Sequence, residues 1–295
     1  MREIDCPTYK SADVLNDCIK IRRDLNLKER LNCIAVEIAS AEKIYAQKGA
    51  AHSFHDIKPT VGVGTCVSTS EMEGLYTEVF ARKTSPIRVK YYDELILAPQ
   101  NGTCPFCGQR NVSTLDHYLP KAKHPALAVT PINLVPSCKD CNHVKDEHSP
   151  RLEIEQLLHP YFDKIPEGVW LVAHVETSRP PALVYRIQTP PVFDPVLTKR
   201  LEWQFRKLDI GKLYAAQAGS MLSGIASKLT SAWARGGSDE IKLLLEDDAK
   251  SWGKHHSNCW QAAMYRALAS SEWFCGEGFA YAGEKPKKKQ PNHEG

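Results

Sequence analysis

The chain has no run of about 18 consecutive apolar residues, the length a helix needs to cross a bilayer, so no membrane span is expected. Its opening, "MREIDCPTYK", has no apolar h-region. That argues against a secretory signal and for a cytoplasmic location. Net charge is also scarce: 38 Lys and Arg against 35 Asp and Glu leave +3. So small an excess neither demands nor opposes a polyanionic partner. No internal repeat stands out, and no helix-turn-helix or RRM pattern marks a dedicated nucleic-acid reader. What remains is ordinary globular composition, 42% hydrophobic and 25% charged over 295 residues. That is enough for one large domain or two modest ones.

Cysteine is not scarce. Of 10 cysteines, four fall in two tight pairs, Cys104/Cys107 and Cys138/Cys141. Cys6, Cys18, Cys33, Cys66, Cys259 and Cys275 stand singly. In a reducing compartment, paired cysteines read as metal ligands and single ones as small buried hydrophobes.

Residues 11–48 carry a helical stripe, Leu27, Leu31, Ile34, Ile38, Ala41 and Tyr45, with Gly49 in the position of a C′ glycine. Residues 50–68 read as loop. Ser70 and Glu73 form a capping-box pattern, followed by Met72, Tyr76, Val79 and Phe80 on one helix face. Ser149-Pro150 reads as the start of a short helix ending before Pro160. "VWLVAHV" and "ALVYRI" predict a β-hairpin near 168–188. Leu197, Leu201, Phe205 and Leu208 share a helix face, and a further helix from Leu213 breaks at Gly236-Gly237. The tail "GEKPKKKQPNHEG" is polar and expected to be disordered.

In Cys104-Pro-Phe-Cys107-Gly108, the glycine permits the tight turn that lets two sulfurs face one ion. Ser137 and Asp140 predict a helix start around the second pair, with Cys138 and Cys141 one turn apart on one face and the helix N-terminus favouring thiolates. Four thiolates so spaced ask for tetrahedral Zn²⁺. A four-cysteine zinc is closed and structural, so it does not account for "STLDHYLPKAKHP" between the knuckles. There, Asp116 offers a hard carboxylate oxygen suited to Mg²⁺ or Mn²⁺. His117 offers an imidazole that takes a proton near neutral pH. Asn133 sits in the returning segment "INLVP". Asn142 points about 100° from the zinc face of its helix, with Lys145 on its own side at i+3. Lys121 and Lys123 are open to two readings, a phosphate contact or a solvated loop. The set meets the needs of phosphodiester hydrolysis: an in-line water, a base and a cation on the leaving oxygen.

Through "CPFCGQ", "TLDHYLPK" and "NLVPSCKDCN", and then Lys145, the middle of the chain resembles the HNH endonucleases, the ββα-metal finger. The resemblance implies that His117 activates water and that Asn133 orients it. It implies that Asn142 and Asp116 hold a catalytic Mg²⁺ or Mn²⁺, and that Lys145 contacts phosphate. Asn142 rather than His143 takes the family's third position. The fold implied is α+β, a central finger in mostly helical flanks. The expected plan is a helical region 1–98, a nuclease domain 99–150, a mostly helical region 151–282 and a disordered basic tail 283–295. DNA is the substrate that the resemblance favours, with RNA the alternative. A nuclease with no visible reader would endanger its own cell. The resemblance therefore implies control by a regulatory protein partner, in a prokaryotic anti-phage defence setting of Septu or Zorya type. The rival from another class is a non-catalytic zinc module that binds nucleic acid or protein.

Overall fold

Leu27, Leu31, Ile34 and Ile38 are all buried, and the chain around them is helical in three pieces. These are α1 (Ser11–Ile21), α2 (Leu25–Cys33) and α3 (Ala35–Ala50) in the computed structural model, which describes residues 1–284. The expected single run over 11–48 is cut twice. Arg22 turns extended, and Asp24 caps α2 by accepting from the Leu27 amide at 3.0 Å. Gly49 lies inside α3 rather than beyond it, and the left-handed position falls to His52 with φ 51°. Gly49 has a packing reason: a Cβ there would sit 2.9 Å from the Phe162 ring.

The capping box closes at Ser68 and Glu71, two residues before the expected pair. Glu71 is drawn there by Arg30, which donates twice to it at 2.6 and 2.9 Å. It opens α4 (Thr69–Leu75), which widens into a π-type turn, Tyr76–Phe80. Met72, Tyr76, Val79 and Phe80 are buried together as their spacing predicts. A second π-type turn, Arg88–Tyr92, leads into α5 (Asp93–Leu97).

The centre of the chain forms β1 (Thr114–His117), β2 (Leu134–Ser137) and α6 (Lys139–Lys145). The strands pair antiparallel, Leu115 opposite Pro136 and His117 opposite Leu134. Leu115 and Leu134 join the core built by the N-terminal helices. Burying a side chain of this size contributes about 1.5–3 kcal/mol, so the finger is anchored through its strands. The helix expected from Ser149 shrinks to a 3₁₀ turn, Glu153–Glu155. The Glu155 carboxylate takes the amides of Arg151 and Leu152 at 3.1 and 3.2 Å, and buried Gln156 donates to His52 O at 2.9 Å. Those bonds close the turn locally and leave no helix to propagate.

The chain divides into two compact units. The first comprises Met1–Ile165 and Pro195–Leu208, and it holds α1 to α6, the finger and α7 (Pro195–Lys207). Within it, α7 buries two polar residues on the face that also carries Leu201. Arg200 grips Asp163 with two bonds of 2.7 Å, and Gln204 donates to Phe106 O at 3.1 Å while accepting from Leu158 N at 2.7 Å. Leaving one member of a buried ion pair alone costs about 3–5 kcal/mol. The Arg200–Asp163 pair therefore fixes the path of the segment that follows the finger.

The second unit comprises Pro166–Asp194 and the chain from Asp209 onward. The expected hairpin is β3 (Leu171–Glu176) and β4 (Ala182–Ile187), paired antiparallel from Leu171–Ile187 to Glu176–Ala182. Helix α8 (Ile210–His255) departs from helical geometry at Gly236 and Gly237, as the sequence predicts. There it doubles back: Lys228 meets Asp248 at 2.9 Å, and Arg235 meets Glu240 at 3.1 Å. Helices α9 (Trp260–Ala269) and α10 (Glu272–Gly276) follow. The side chain of Asn258 ties α9 to the hairpin by accepting from Trp170 N and Leu171 N at 2.8 and 3.1 Å. The fold is α+β, as expected, with two small antiparallel sheets among helices. The basic tail lies, from residue 285, outside the described residues.

Candidate active site and metal centre

The four paired cysteines are buried, and their sulfurs all lie within 4.8 Å of one another. Tetrahedral Zn–S bonds of about 2.3 Å put sulfurs about 3.8 Å apart, so the donor set could hold a metal such as zinc. The first knuckle turns at Gly108, with φ 63° and its amide on Cys104 O at 2.7 Å. In the second, Cys138 is itself the N-cap of α6, and its sulfur accepts from Cys141 N at 3.4 Å. This corrects the expected Ser137–Asp140 cap. The sulfur takes the capping role, and Asp140 instead reaches across to Arg110 of the first knuckle at 2.7 Å. Arg110 N also donates to Cys107 Sγ at 3.4 Å. The neighbouring sulfurs and this amide hold Cys107 well below the ordinary thiol range.

Asp116 and His117 end β1, both buried. Burial pushes the Asp116 carboxyl up to about 6, against the pull of Lys145. Lys145 Nζ sits 3.1 Å from Asp116 Oδ1 and 2.7 Å from His117 O, with both side chains of the ion pair almost fully enclosed. The sequence points Lys145 at phosphate, and here the ammonium turns inward. A desolvated carboxylate needs a counter-charge, and α6 supplies one. The other oxygen, Asp116 Oδ2, is buried with no hydrogen-bond partner. An orphaned anionic oxygen of this kind fits a hard cation. Half-buried Asn142 lies three residues before Lys145 on the same side of α6, whereas His143 is exposed.

The His117 ring is held from two sides. Its Nε2 lies 2.8 Å from Ala128 O, and the Tyr76 ring meets it edge-on at 4.4 Å. A carbonyl only accepts, so Nε2 carries the hydrogen and Nδ1 carries the free lone pair. Asn133 makes no hydrogen bond to the imidazole. Its Oδ1 accepts from Leu119 N at 2.8 Å, and its Nδ2 donates to Leu119 O and Leu127 O at 3.0 and 3.2 Å. It pins the loop that presents the Ala128 carbonyl, so any influence on His117 is relayed through backbone. Sequence reasoning passed over Ala128 and Tyr76. A backbone carbonyl leaves no residue signature, and Tyr76 reads as one more core position on its helix face.

Comparison with known proteins gives two relatives. Protein ea31 of Escherichia phage lambda is 27% identical over 298 residues, covering 93% of this chain and 99% of the phage protein. Septu protein PtuB of Bacillus thuringiensis is 32% identical over 97 residues, or 31% of this chain and 37% of PtuB. No protein-family model matches the chain, and no solved structure does. Among the described residues no helix is long and apolar enough to cross a membrane.

Burial gives these histidines a pH signature. It lowers His117 to about 3 and His124, which meets Ser149 Oγ at 3.2 Å, to about 4. His159, bonded to Tyr45 Oη at 2.9 Å, is lowered well below the ordinary range. The folded values lie below the unfolded value of about 6.5, so the unfolded chain takes up protons first. Their contribution to stability is complete above pH 6.5 and falls as pH drops toward the folded values. Each histidine accounts for about 1.4 kcal/mol per pH unit in that window. Imidazole C–H resonances of His117 and His124 should stay at their neutral positions from pH 8 to pH 5. Titration of either near pH 6.5 in the folded protein would contradict neutral burial.

Proposed function

We propose that the chain is a metal-dependent HNH endonuclease that cuts DNA, acting in defence under the control of a protein partner. The observation that carries the reading is the end of β1. There a buried, unpartnered carboxylate oxygen on Asp116 is followed in the chain by an imidazole whose free lone pair is assigned to Nδ1. Neutral His117 accepts a hydrogen bond from the attacking water through Nδ1 and takes its proton as the transition state forms, while Nε2 stays tethered to Ala128 O. Burial lowers the ring to about 3, so it is a weaker base than the near-neutral imidazole expected from the sequence. Asn133 keeps that carbonyl in place, and Lys145 keeps Asp116 in its anionic form. Asp116 Oδ2 and Asn142 are the ligands offered to Mg²⁺ or Mn²⁺, which when bound would supply positive charge at the leaving oxygen. The cysteine cluster takes no part in this chemistry and frames it. The defence setting and the partner rest on the similarity to Septu protein PtuB over part of its length.

One observation favours a second reading. Lys145 already neutralises Asp116, so the finger is charge-balanced as it stands, as a non-catalytic zinc module would be. Plasmid nicking separates the two. Purified protein should relax supercoiled DNA with added Mg²⁺ or Mn²⁺, poorly with larger Ca²⁺, and not without added ion while zinc stays bound. Undiminished cutting with zinc as the sole metal would remove the catalytic-ion site. Cutting of RNA alone would reassign the substrate, and no cutting of either would leave the binding module.

A further inference from the structure

A groove of about 620 Å³ opens in the first unit between residues 55–59, Lys123 and residues 147–151. Three segments distant in sequence each bring a cation to it: Lys58, Lys123 and Arg151. None of the three forms an ion pair among the described residues. Lys123 Nζ donates to Glu147 O at 2.6 Å and keeps its remaining hydrogens free. Of the two acids on the wall, Glu155 has one oxygen taken by the Arg151 and Leu152 amides, which damps its field. His148 lines the groove and lies against the Trp203 ring, 4.8 Å between centroids and 35° between planes. The groove therefore sets three cations from separate segments around one cleft, the positively charged track that a nucleic-acid backbone follows.

Its walls also grow out of the candidate site. Lys123 lies on the loop that leaves β1 at His117, and Lys121 on that loop is close enough to disfavour charge on His117. On the other side, the chain leaves Lys145, which holds Asp116, and His148 N donates back to Lys145 O at 3.1 Å. The groove's walls are therefore continuous along the chain with β1, which carries Asp116 and His117, and with α6, which ends at Lys145.

We propose that this groove binds the phosphodiester backbone of the substrate strand, with Lys58, Lys123 and Arg151 as phosphate contacts. The proposal rests on the nuclease reading for the word substrate, but it is tested by binding alone. The probe is a fluorescein-labelled DNA oligonucleotide titrated, across a salt series, with H117A protein or with wild type lacking added divalent ion. Each phosphate contact contributes about 0.7 to 0.9 to the slope of log affinity against log salt. The double variant K58A/R151A should lower the slope by about 1.5 and weaken binding at least ~10-fold at moderate salt. The pair K242A/K250A, on the second unit, should leave both unchanged. In cutting assays K58A/R151A should raise KM and spare kcat. Affinity and slope equal to the parent's in K58A/R151A would overturn the groove, as would a folded parent that binds no nucleic acid. Lost binding in K58A/R151A beside an uncut plasmid in wild type would keep the groove and sink the nuclease reading.

Discussion

Cys138→Ser is expected to unfold the finger and strip its metal together. The Cys138 sulfur does two things at once: it caps α6 by accepting from Cys141 N, and it sits within reach of three other buried sulfurs. A serine hydroxyl can replace the cap. It cannot replace a soft thiolate, and a three-sulfur site binds zinc far less well. Structural zinc contributes about 10 kcal/mol or more to folding, as much as the whole net stability of a typical domain. Loss of a buried thiol alone would cost only about 1–3 kcal/mol. The size of the effect thus distinguishes a metal centre from four packed cysteines. The damage should spread beyond the finger, because Leu115 and Leu134 belong to the core of the first unit and Gln204 of α7 bonds to Phe106 O inside the first knuckle. Zinc per chain and the melting curve decide it. A Cys138→Ser protein with wild-type zinc and an unchanged Tm would rule the centre out. Cys18→Ser, at a single buried cysteine outside the cluster, should lose stability but no zinc.

The parts of this architecture that were legible in the sequence are those whose physics is local. The knuckles show because two sulfurs on one ion demand a fixed short spacing. The hairpin of β3 and β4 shows because two β-prone runs flank a short polar, proline-bearing segment, and the reversal at Gly236-Gly237 shows because glycine punctuates. The finger's order, strand with Asp116 and His117, strand, then helix with Asn142 and Lys145, follows the motif. What escaped was set by tertiary contact. Gly49 looks like a helix end and is instead a place for the Phe162 ring. The capping box moves to Glu71 because Arg30, 41 residues away, pulls on that carboxylate. Lys145 looks like a surface cation and turns inward, because burial of Asp116 creates a demand that only the fold reveals. The membership of α7 in the first unit rests on Arg200 and Gln204, polar residues that the apolar periodicity of Leu197, Leu201, Phe205 and Leu208 passes over.

His117→Ala should abolish cutting while zinc stays at the wild-type level. The base is the one group here whose removal deletes a chemical step, and loss of a positioned general base slows a reaction by about 100-fold to 10,000-fold. A water-activating histidine at a strand end would be expected to face the substrate, where truncation would cost little. The structure instead packs the ring against Tyr76 and ties it to Ala128 O, so the alanine variant should also lose some stability, about 1–3 kcal/mol. Zinc content is therefore the cleaner control, because no His117 atom belongs to the four-sulfur cluster. Asn133→Ala separates orientation from chemistry. It frees the 127–128 loop without touching the imidazole, so it should lower the rate less than His117→Ala and leave Nδ1 able to act as base. Nucleic-acid binding should survive both changes, since phosphate contacts come from lysine and arginine. Initial nicking rate, zinc per chain and Tm read the outcome. Zinc lost along with activity in His117→Ala would make His117 a structural ligand. Wild-type nicking in His117→Ala would end the nuclease assignment at this site, because His117 is the base that the assignment rests on.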